Sequence, residues 1–248
     1  MAGLALSGYL TLPRGRSAQG LPLVVLPHSG PDQRDAPGFD WMAEAIASRG
    51  YAVLQVNYRG SFGLGRTFLE AGYGQLGRAM QTDLSDGVRH LAAQGLIDPK
   101  RVCIAGMGFG GYAALAGVAF EPEIYRCAVS IGGQSDWRRD LEWRGMGGRR
   151  FYYRYADVEN YTDGRLKDIS PALRPEKLAA PVLLIHGKDD TRTASEQSQV
   201  MADVLKQRGK PVQLEILEGE DHWLSQSATR LKALQLTVAF LEKHNPPN

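Results

Sequence analysis

The chain has 248 residues, of which 43% are hydrophobic, and this length suits one large domain with a single core. Its 29 basic and 27 acidic residues give a formal charge of +2, so no strongly basic surface for nucleic acid is expected. No segment reaches the roughly 18 apolar residues of a membrane span, and the amino terminus lacks a secretory signal pattern. These features predict a soluble, cytoplasmic protein that binds neither nucleic acid nor membrane.

Cysteine and histidine usage gives no sign of a metal or cofactor. Cys103 and Cys127 fall inside apolar segments, where a reduced cysteine packs as a small hydrophobic side chain, so two reduced thiols are expected. The five histidines form no H-E-x-x-H pair, and the two cysteines form no C-x-x-C pair. The sequence therefore predicts no zinc site and no cofactor.

Six short apolar segments follow one another along the chain and are continuous rather than alternating, as in strands that are covered on both faces. They comprise residues 21–26, 51–56, 101–105, 126–131, 181–186 and 212–217. Segments with helical periodicity lie between them. Three of these are expected to end at Gly50, Gly95 and Gly209, because glycine adopts the left-handed cap conformation without strain. The alternation predicts an α/β fold: a mostly parallel twisted sheet with helices on both faces.

Hydrophobic spacing also predicts which helix faces are buried. One helix is expected to bury a row that steps by four, four and three residues: Met80, Leu84, Val88 and Leu91. The last helix is expected to bury a similar row: Leu231, Leu234, Val238 and Leu241.

The segment 134–180 is longer and richer in Arg, Tyr and Trp than a plain connection. Ligands bind at the carboxyl edge of open α/β sheets, so this segment is predicted to be an insertion that covers that edge and shapes specificity. The alternative is a surface excursion packed by its own aromatic residues. In either case residues 1–248 are predicted to form a single domain.

The stretch "AGMGFGGY", residues 105–112, lies between a predicted strand and a predicted helix and has two interpretations. Gly106, Gly108 and Gly111 match the G-x-G-x-x-G loop that binds dinucleotides. That loop needs an acidic residue about twenty positions on, whereas Asp136 follows Gly106 by 30 positions. Alternatively, Gly106 and Gly110 are the outer glycines of G-x-S-x-G, the turn that presents a nucleophilic serine. Gly108 then occupies the position of the serine.

The second interpretation is supported by two loops further along the chain. In folds with this turn, an acidic residue and then a histidine follow later strands. Asp190 follows the segment 181–186, and His222 follows the segment 212–217. The joint match of three loops is more specific than any one of them.

Several longer stretches carry a family resemblance over nearly the whole chain. They include "LPHSGPDQRD", "GFDWMAEAIASRGYAVLQVNYRGSFGLGRTF", "GGYAALAG" and "APVLLIHGKDDTRT". Together they resemble the catalytic domain of the prolyl oligopeptidase family, in particular its acylaminoacyl-peptidase-like and dipeptidyl-peptidase-like members. This resemblance implies an α/β-hydrolase fold and a serine-peptidase mechanism.

The resemblance also implies roles for individual residues. Asp190 is the expected acid of the catalytic triad, chosen over Asp189 by its spacing of four residues from the structural His186. His222 is the expected general base. Gly108 stands where the nucleophilic serine belongs, and glycine has no hydroxyl group.

The amides of Phe109 and Gly30 are expected to form the oxyanion hole, the pair of donors that stabilises a reacting carbonyl oxygen. The family's H-G-G-P loop here contains Ser29, whose side chain stands where the backbone should approach substrate. Three further residues are expected to bind substrate by resemblance: His28, Trp137 and Tyr152.

These observations lead to three hypotheses of function. The first is a serine-peptidase domain for peptide or acyl-aminoacyl bonds that is inactive or nearly so, because Gly108 cannot form an acyl-enzyme. The second is a natural pseudoenzyme that binds a peptide or a protein partner. The third is a nucleotide-binding oxidoreductase, which predicts NAD binding. A homo-oligomer is among the expected partners. By resemblance, the family's β-propeller domain is not expected within this chain, which resembles a stand-alone module or an excised fragment.

Overall fold

In the computed structural model, residues 4–247 are described, so residues 1–3 and 248 of the predicted domain lie outside the described part. Seven strands form one sheet in the order β1-β3-β2-β4-β5-β6-β7. Strand β1 is antiparallel to β3, and the other neighbouring pairs are parallel. The strands are β1 (Ser7–Thr11), β2 (Leu21–Val25), β3 (Ala52–Asn57), β4 (Ile97–Met107), β5 (Cys127–Ile131), β6 (Val182–Gly187) and β7 (Val212–Leu217).

Helices cover both faces of this sheet, which confirms the predicted α/β class. They are α1 (Trp41–Ser48), α2 (Arg66–Glu70), α3 (Ala79–Ala93), α4 (Phe109–Phe120), α5 (Trp137–Trp143), α6 (Met146–Ala156), α7 (Glu196–Gln207) and α8 (Ser227–His244). Buried side chains of α1 and α8 share one core cluster, and those of α3, α4 and α7 share the other. The three predicted glycine caps are confirmed, with φ of 101°, 72° and 63° at Gly50, Gly95 and Gly209.

The predicted buried row of α3 is confirmed, but that of α8 is wrong at three of its four positions, because only Leu241 is buried while Leu234 and Val238 are half-buried. Leu231 is 55% exposed, whereas Ala233, Thr237 and Phe240 face the sheet. The Thr237 hydroxyl donates to Ala233 O at 2.8 Å, so its polar group is satisfied inside the core. The small side chains of Ala233 and Thr237 allow the helix to lie close to the sheet, a constraint that a count of large hydrophobic residues misses.

The two cysteines are joined by a disulfide, so the expectation of reduced thiols is wrong. Cys103 and Cys127 lie directly opposite each other on the neighbouring strands β4 and β5, with Cα atoms 4.8 Å apart. Both residues are completely buried. Their apolar sequence surroundings predicted burial correctly, but only the strand register places the two sulfur atoms together.

We expect iodoacetamide to label neither cysteine in the denatured, unreduced protein and both cysteines after reduction. Mass spectrometry would count the labels. A Cys103→Ala variant is the control, because it should show one labelled thiol, at Cys127, with or without reductant. Two labels before reduction would contradict the disulfide.

The segment 134–180 contains α5, α6 and three 3₁₀ turns, Gly164–Lys167, Pro171–Leu173 and Pro175–Lys177. Its aromatic side chains pack on helix α4, since the rings of Trp137 and Tyr112 have centroids 5.0 Å apart. The Tyr152 hydroxyl donates to Gly30 O at 3.4 Å, on a loop that follows β2. This segment therefore joins the core and also reaches the carboxyl edge of the sheet.

Candidate active site

Gly108 forms the turn between β4 and α4, at the centre of the carboxyl edge of the sheet. Its backbone has φ 54° and ψ −120°, in a region that side chains other than glycine rarely adopt. A Cβ atom on Gly106 would lie 2.5 Å from the carbonyl carbon of Gly110, and a Cβ on Gly110 would collide with Pro27 O. The turn therefore requires glycine on both sides of residue 108, as the nucleophile-turn interpretation predicts.

Asp190 and His222 lie beside this turn on the loops after β6 and β7. Asp190 Oδ2 is 2.7 Å from His222 Nδ1. An ideal Cβ atom built on Gly108 would lie 3.0 Å from His222 Nε2. The structure thus brings together the three positions that the sequence motifs indicated.

The carboxylate of Asp190 is held by several donors. Its Oδ1 accepts hydrogen bonds from the amides of Arg192, at 2.7 Å, and Thr193, at 2.8 Å. Burial by itself raises the pKa of Asp190, but hydrogen bonds from His186 and His222 outweigh it and hold this pKa well below its usual range. Asp190 is therefore ionised. Its neighbour Asp189 is exposed, and His222 Nδ1 contacts the carboxylate of Asp190.

Ser29 lies on the loop beside the turn, where the family pattern has glycine. Its hydroxyl donates to Met107 O at 2.7 Å and is 3.0 Å from the ideal Cβ position of Gly108. The next residue, Gly30, has φ 137°, which also favours glycine. Phe109 is the first residue of α4, so its amide has no acceptor within the helix. Position 108 is thus flanked by the loop containing Gly30 and by the amino terminus of α4.

A cleft of about 690 Å³ opens over these residues. Among its lining residues are Ser29, Gly30, Phe109, Gln134, Arg144, Tyr152, Arg192, Thr193, His222 and Trp223. Of the three residues expected to bind substrate, Tyr152 lines this cleft. Trp137 is completely buried behind Tyr152, and the centroids of their two rings are 5.0 Å apart.

His28, the third of these residues, is buried behind the cleft and lines a smaller recess next to it. Its ring stacks on Tyr58 with centroids 4.2 Å apart, and its Nε2 is 2.9 Å from Ser61 Oγ. Burial lowers the pKa of His28 to about 4, so it is neutral at physiological pH. Through these contacts, His28 stabilises the loop that contains Ser29 and Gly30.

Sequence reasoning missed a buried polar wall of the cleft. Arg144 belongs to an arginine-rich stretch that resembles a solvated loop, yet its side chain is only 10% exposed. It pairs with Asp140, which is completely buried, and the ring of Tyr152 lies beneath its guanidinium. The one available signal is the spacing of four residues between Asp140 and Arg144, which places the two side chains on the same face of a helix.

The backbone at Gly108 leads to a stability prediction. A serine side chain at φ 54° carries a backbone cost of about 1–3 kcal/mol. We therefore expect Gly108→Ser to lower the melting temperature by a few degrees in thermal unfolding followed by circular dichroism. A clear rise in melting temperature would contradict this account of the turn.

Comparison with known proteins identifies the family. The sequence pattern of the prolyl oligopeptidase family matches residues 37–246. The chain belongs to the prolyl oligopeptidase family. It is 33% identical to dipeptidyl aminopeptidase BIII of Pseudoxanthomonas mexicana over 95% of this chain and 36% of that protein. It is 32% identical to dipeptidyl peptidase family member 6 of Caenorhabditis elegans over 89% of this chain and 31% of that protein.

Solved structures of other peptidases have the same fold. The acylaminoacyl peptidase of Pyrococcus horikoshii matches with a TM-score of 0.91 at 26% identity, over 99% of this chain and 40% of that one. A Mycobacterium tuberculosis puromycin-hydrolyzing peptidase also matches with a TM-score of 0.91 at 26% identity, over 97% of this chain and 37% of that one. This prolyl oligopeptidase family chain spans about a third of the length of the curated relatives it matches.

Residues 4–247 lack two other classes of feature, a membrane-spanning helix and a metal-binding cluster. No helix in this range has both the length and the apolar character to cross a membrane. No group of three or more His, Cys, Asp or Glu side chains in this range is arranged to hold a metal ion.

Proposed function

We propose that the chain is a serine-peptidase domain that binds peptides or acyl-aminoacyl compounds in the cleft over Gly108 but lacks the nucleophile at that position. The observation that carries the proposal is the placement of His222 Nε2, 3.0 Å from the ideal Cβ position of Gly108. Asp190 is the acid that orients this imidazole, at 2.7 Å from Nδ1. Residues 134–180 act as the substrate-facing insertion of one α/β-hydrolase domain.

The geometry supports a general-base role for His222. Because Asp190 is an ionised acceptor, the Nδ1 proton of His222 is donated to it, and the Nε2 lone pair faces position 108. A serine there would lose its proton to Nε2 as its oxygen attacks the acyl carbon. The amides of Phe109 and Gly30 would stabilise the oxyanion that forms.

Gly108 prevents the first step of this reaction, because glycine has no side-chain oxygen that could bond to the acyl carbon. Loss of a triad serine lowers kcat by about a millionfold, and only binding and oxyanion stabilisation remain. The chain as written is therefore expected to bind substrates without turning them over at a useful rate.

The substrate class is supported by the names of the relatives. They are described as dipeptidyl peptidases, acylamino-acid-releasing enzymes and a puromycin-hydrolyzing peptidase. These names refer to peptides, acylated amino acids and puromycin, which supports short peptides or acylated amino acids as ligands of this cleft.

A pseudoenzyme that retains a peptide or protein partner is the second candidate. It is favoured by the cleft of about 690 Å³, which remains open over Gly108 although residue 108 has no hydroxyl group. NAD binding is not favoured, because Gly108 faces His222 rather than an open phosphate site.

The test uses the chain as written with a fluorophosphonate probe and, separately, with a panel of short peptides. We expect saturable peptide binding by calorimetry, no covalent label and no hydrolysis. Gly108→Ser should be labelled at residue 108. Gly108→Ala is the matched control, because it has a similar backbone cost but no hydroxyl. Labelling of a cleft serine in the chain as written would contradict the proposal, and so would the absence of peptide binding.

A further inference from the structure

Gly108 leaves a gap in the floor of the cleft, which we define as the space between this residue, Ser29 and His222. An ideal Cβ atom built on Gly108 would lie 3.0 Å from His222 Nε2 and 3.0 Å from Ser29 Oγ, its two nearest non-adjacent neighbours among the described residues. Ser29 and His222 both line the cleft. The gap is therefore within reach of a ligand that enters the cleft.

One nitrogen of the His222 ring is free to contact a ligand in this gap. Its Nδ1 is 2.7 Å from Asp190 Oδ2, whereas its Nε2 makes no hydrogen bond to another described residue. The side chain is 15% exposed, so Nε2 is not closed off inside the protein. Because Asp190 is ionised, it stabilises the protonated ring, in which Nε2 is a donor. A negatively charged group in the gap would therefore meet a charged donor.

A backbone amide supplies a second donor beside the gap. The Phe109 amide follows Gly108 directly and has no acceptor within helix α4, which begins at Phe109. The amide of Gly108 itself donates to Ile131 O at 2.8 Å and is already paired. The Phe109 amide and His222 Nε2 are thus both close to residue 108, one through the adjoining peptide bond and the other across the gap.

We propose that this gap binds the terminal carboxylate of a short peptide or acylated amino acid. The inference rests on the proposed function, in which the cleft binds such compounds. One carboxylate oxygen accepts from the Phe109 amide, where a substrate carbonyl oxygen would lie. The other accepts from protonated His222 Nε2 and takes the place of the oxygen that Gly108 lacks.

The two oxygens of a carboxylate match the two oxygens of an acyl-enzyme. In an acyl-enzyme, the acyl carbon is bonded to its carbonyl oxygen and to the serine oxygen. A terminal carboxylate carries the same two oxygens on one carbon and needs no side chain at residue 108. A terminal amide would form only neutral hydrogen bonds with the protein's acceptors, whereas a carboxylate on a protonated imidazole forms a charge-assisted one, which is stronger. The chain as written is therefore suited to the acid that hydrolysis would release.

The other charged groups of the cleft are less suited to hold this carboxylate. The Nε and Nη2 atoms of Arg144 are already bound to Asp140. Arg192 is exposed, so solvent and salt screen its charge. Asp32 also lines the cleft and repels an anion. His222 and the Phe109 amide are thus the favoured pair of donors.

Calorimetric titration of the chain as written tests the inference without any need for turnover. Three acetylated alanyl dipeptides would serve as probes. The first ends in alanine with a free carboxylate, the second ends in alanine amide, and the third ends in glutamic acid amide, with its carboxylate on the side chain only. We expect the first to bind about tenfold more tightly than the other two, the effect of one charged hydrogen bond.

Three variants locate the carboxylate. Gly108→Ala removes no donor but fills the gap with a Cβ atom 3.0 Å from His222 Nε2, so it should abolish the preference for the free acid. His222→Ala removes the charged donor and should also abolish it. Arg192→Gln is the matched control, because it removes a positive charge from the same cleft and should leave the preference intact. The alanine amide probe reports whether each variant is folded, since it should bind to all of them.

Several results would overturn the inference and leave the proposed function standing. They are equal binding of the free acid and the alanine amide, tightest binding of the glutamic acid amide, persistence of the preference in Gly108→Ala, and its loss in Arg192→Gln. Failure of all three probes to bind the chain as written would overturn both.

Discussion

Gly108→Ser is expected to gain hydrolase activity, with kcat/KM at least about a thousandfold above that of the chain as written. The substrates would be chromogenic aminoacyl, acyl-aminoacyl and simple ester compounds. The gain is expected because His222 and Asp190 already have the spacing that a base and its orienting acid require. The variant adds only the oxygen that forms the acyl-enzyme.

Ser29 limits this gain. An ideal Cβ atom at residue 108 would lie 3.0 Å from both Ser29 Oγ and His222 Nε2, which is closer than such contacts normally are. Either the Ser29 side chain or the imidazole must shift to admit a serine. The double variant Ser29→Gly, Gly108→Ser is therefore expected to be more active than Gly108→Ser alone.

The controls separate a missing oxygen from wider decay of the site. Gly108→Ala should remain as inactive as the chain as written. If both hydroxyl-bearing variants are folded and bind peptides but remain inactive, the loss extends beyond residue 108. The pseudoenzyme hypothesis would then replace the first one.

Asp190→Asn, introduced into Gly108→Ser, is expected to lower kcat by about ten-thousandfold. The asparagine would place an amide donor or a neutral oxygen opposite His222 Nδ1, in place of the ionised oxygen now at 2.7 Å. The imidazole would no longer be held in the tautomer whose Nε2 accepts a proton. Steady-state kinetics on the two variants would measure the change.

Asp189→Asn is the matched control for this substitution. Asp189 precedes Asp190 directly but is exposed, so the same change of charge should leave kcat within a few-fold. A comparable loss in both variants would show that the loop as a whole, rather than the Asp190 carboxylate, determines activity.

The fold was largely predictable from local sequence because its signals are local. Continuous apolar segments predicted strands β2 to β7, and three glycines marked helix ends. Family resemblance then indicated Gly108, Asp190 and His222 by motif and order. These predictions depend on short stretches whose backbone preferences hold in almost any context.

Local sequence patterns thus account for the α/β class, the strand segments and the three loops that meet at residue 108. Folding in three dimensions was needed to show that Cys103 pairs with Cys127 and that the Arg144 side chain is only 10% exposed while Arg138 and Arg139 are exposed. The three-dimensional structure also leaves the buried Oε1 of Gln134 without a hydrogen-bond partner among the described residues. Each of these depends on atoms from distant segments meeting at distances of a few ångströms. Such distances follow from strand register and close packing, which no local pattern encodes.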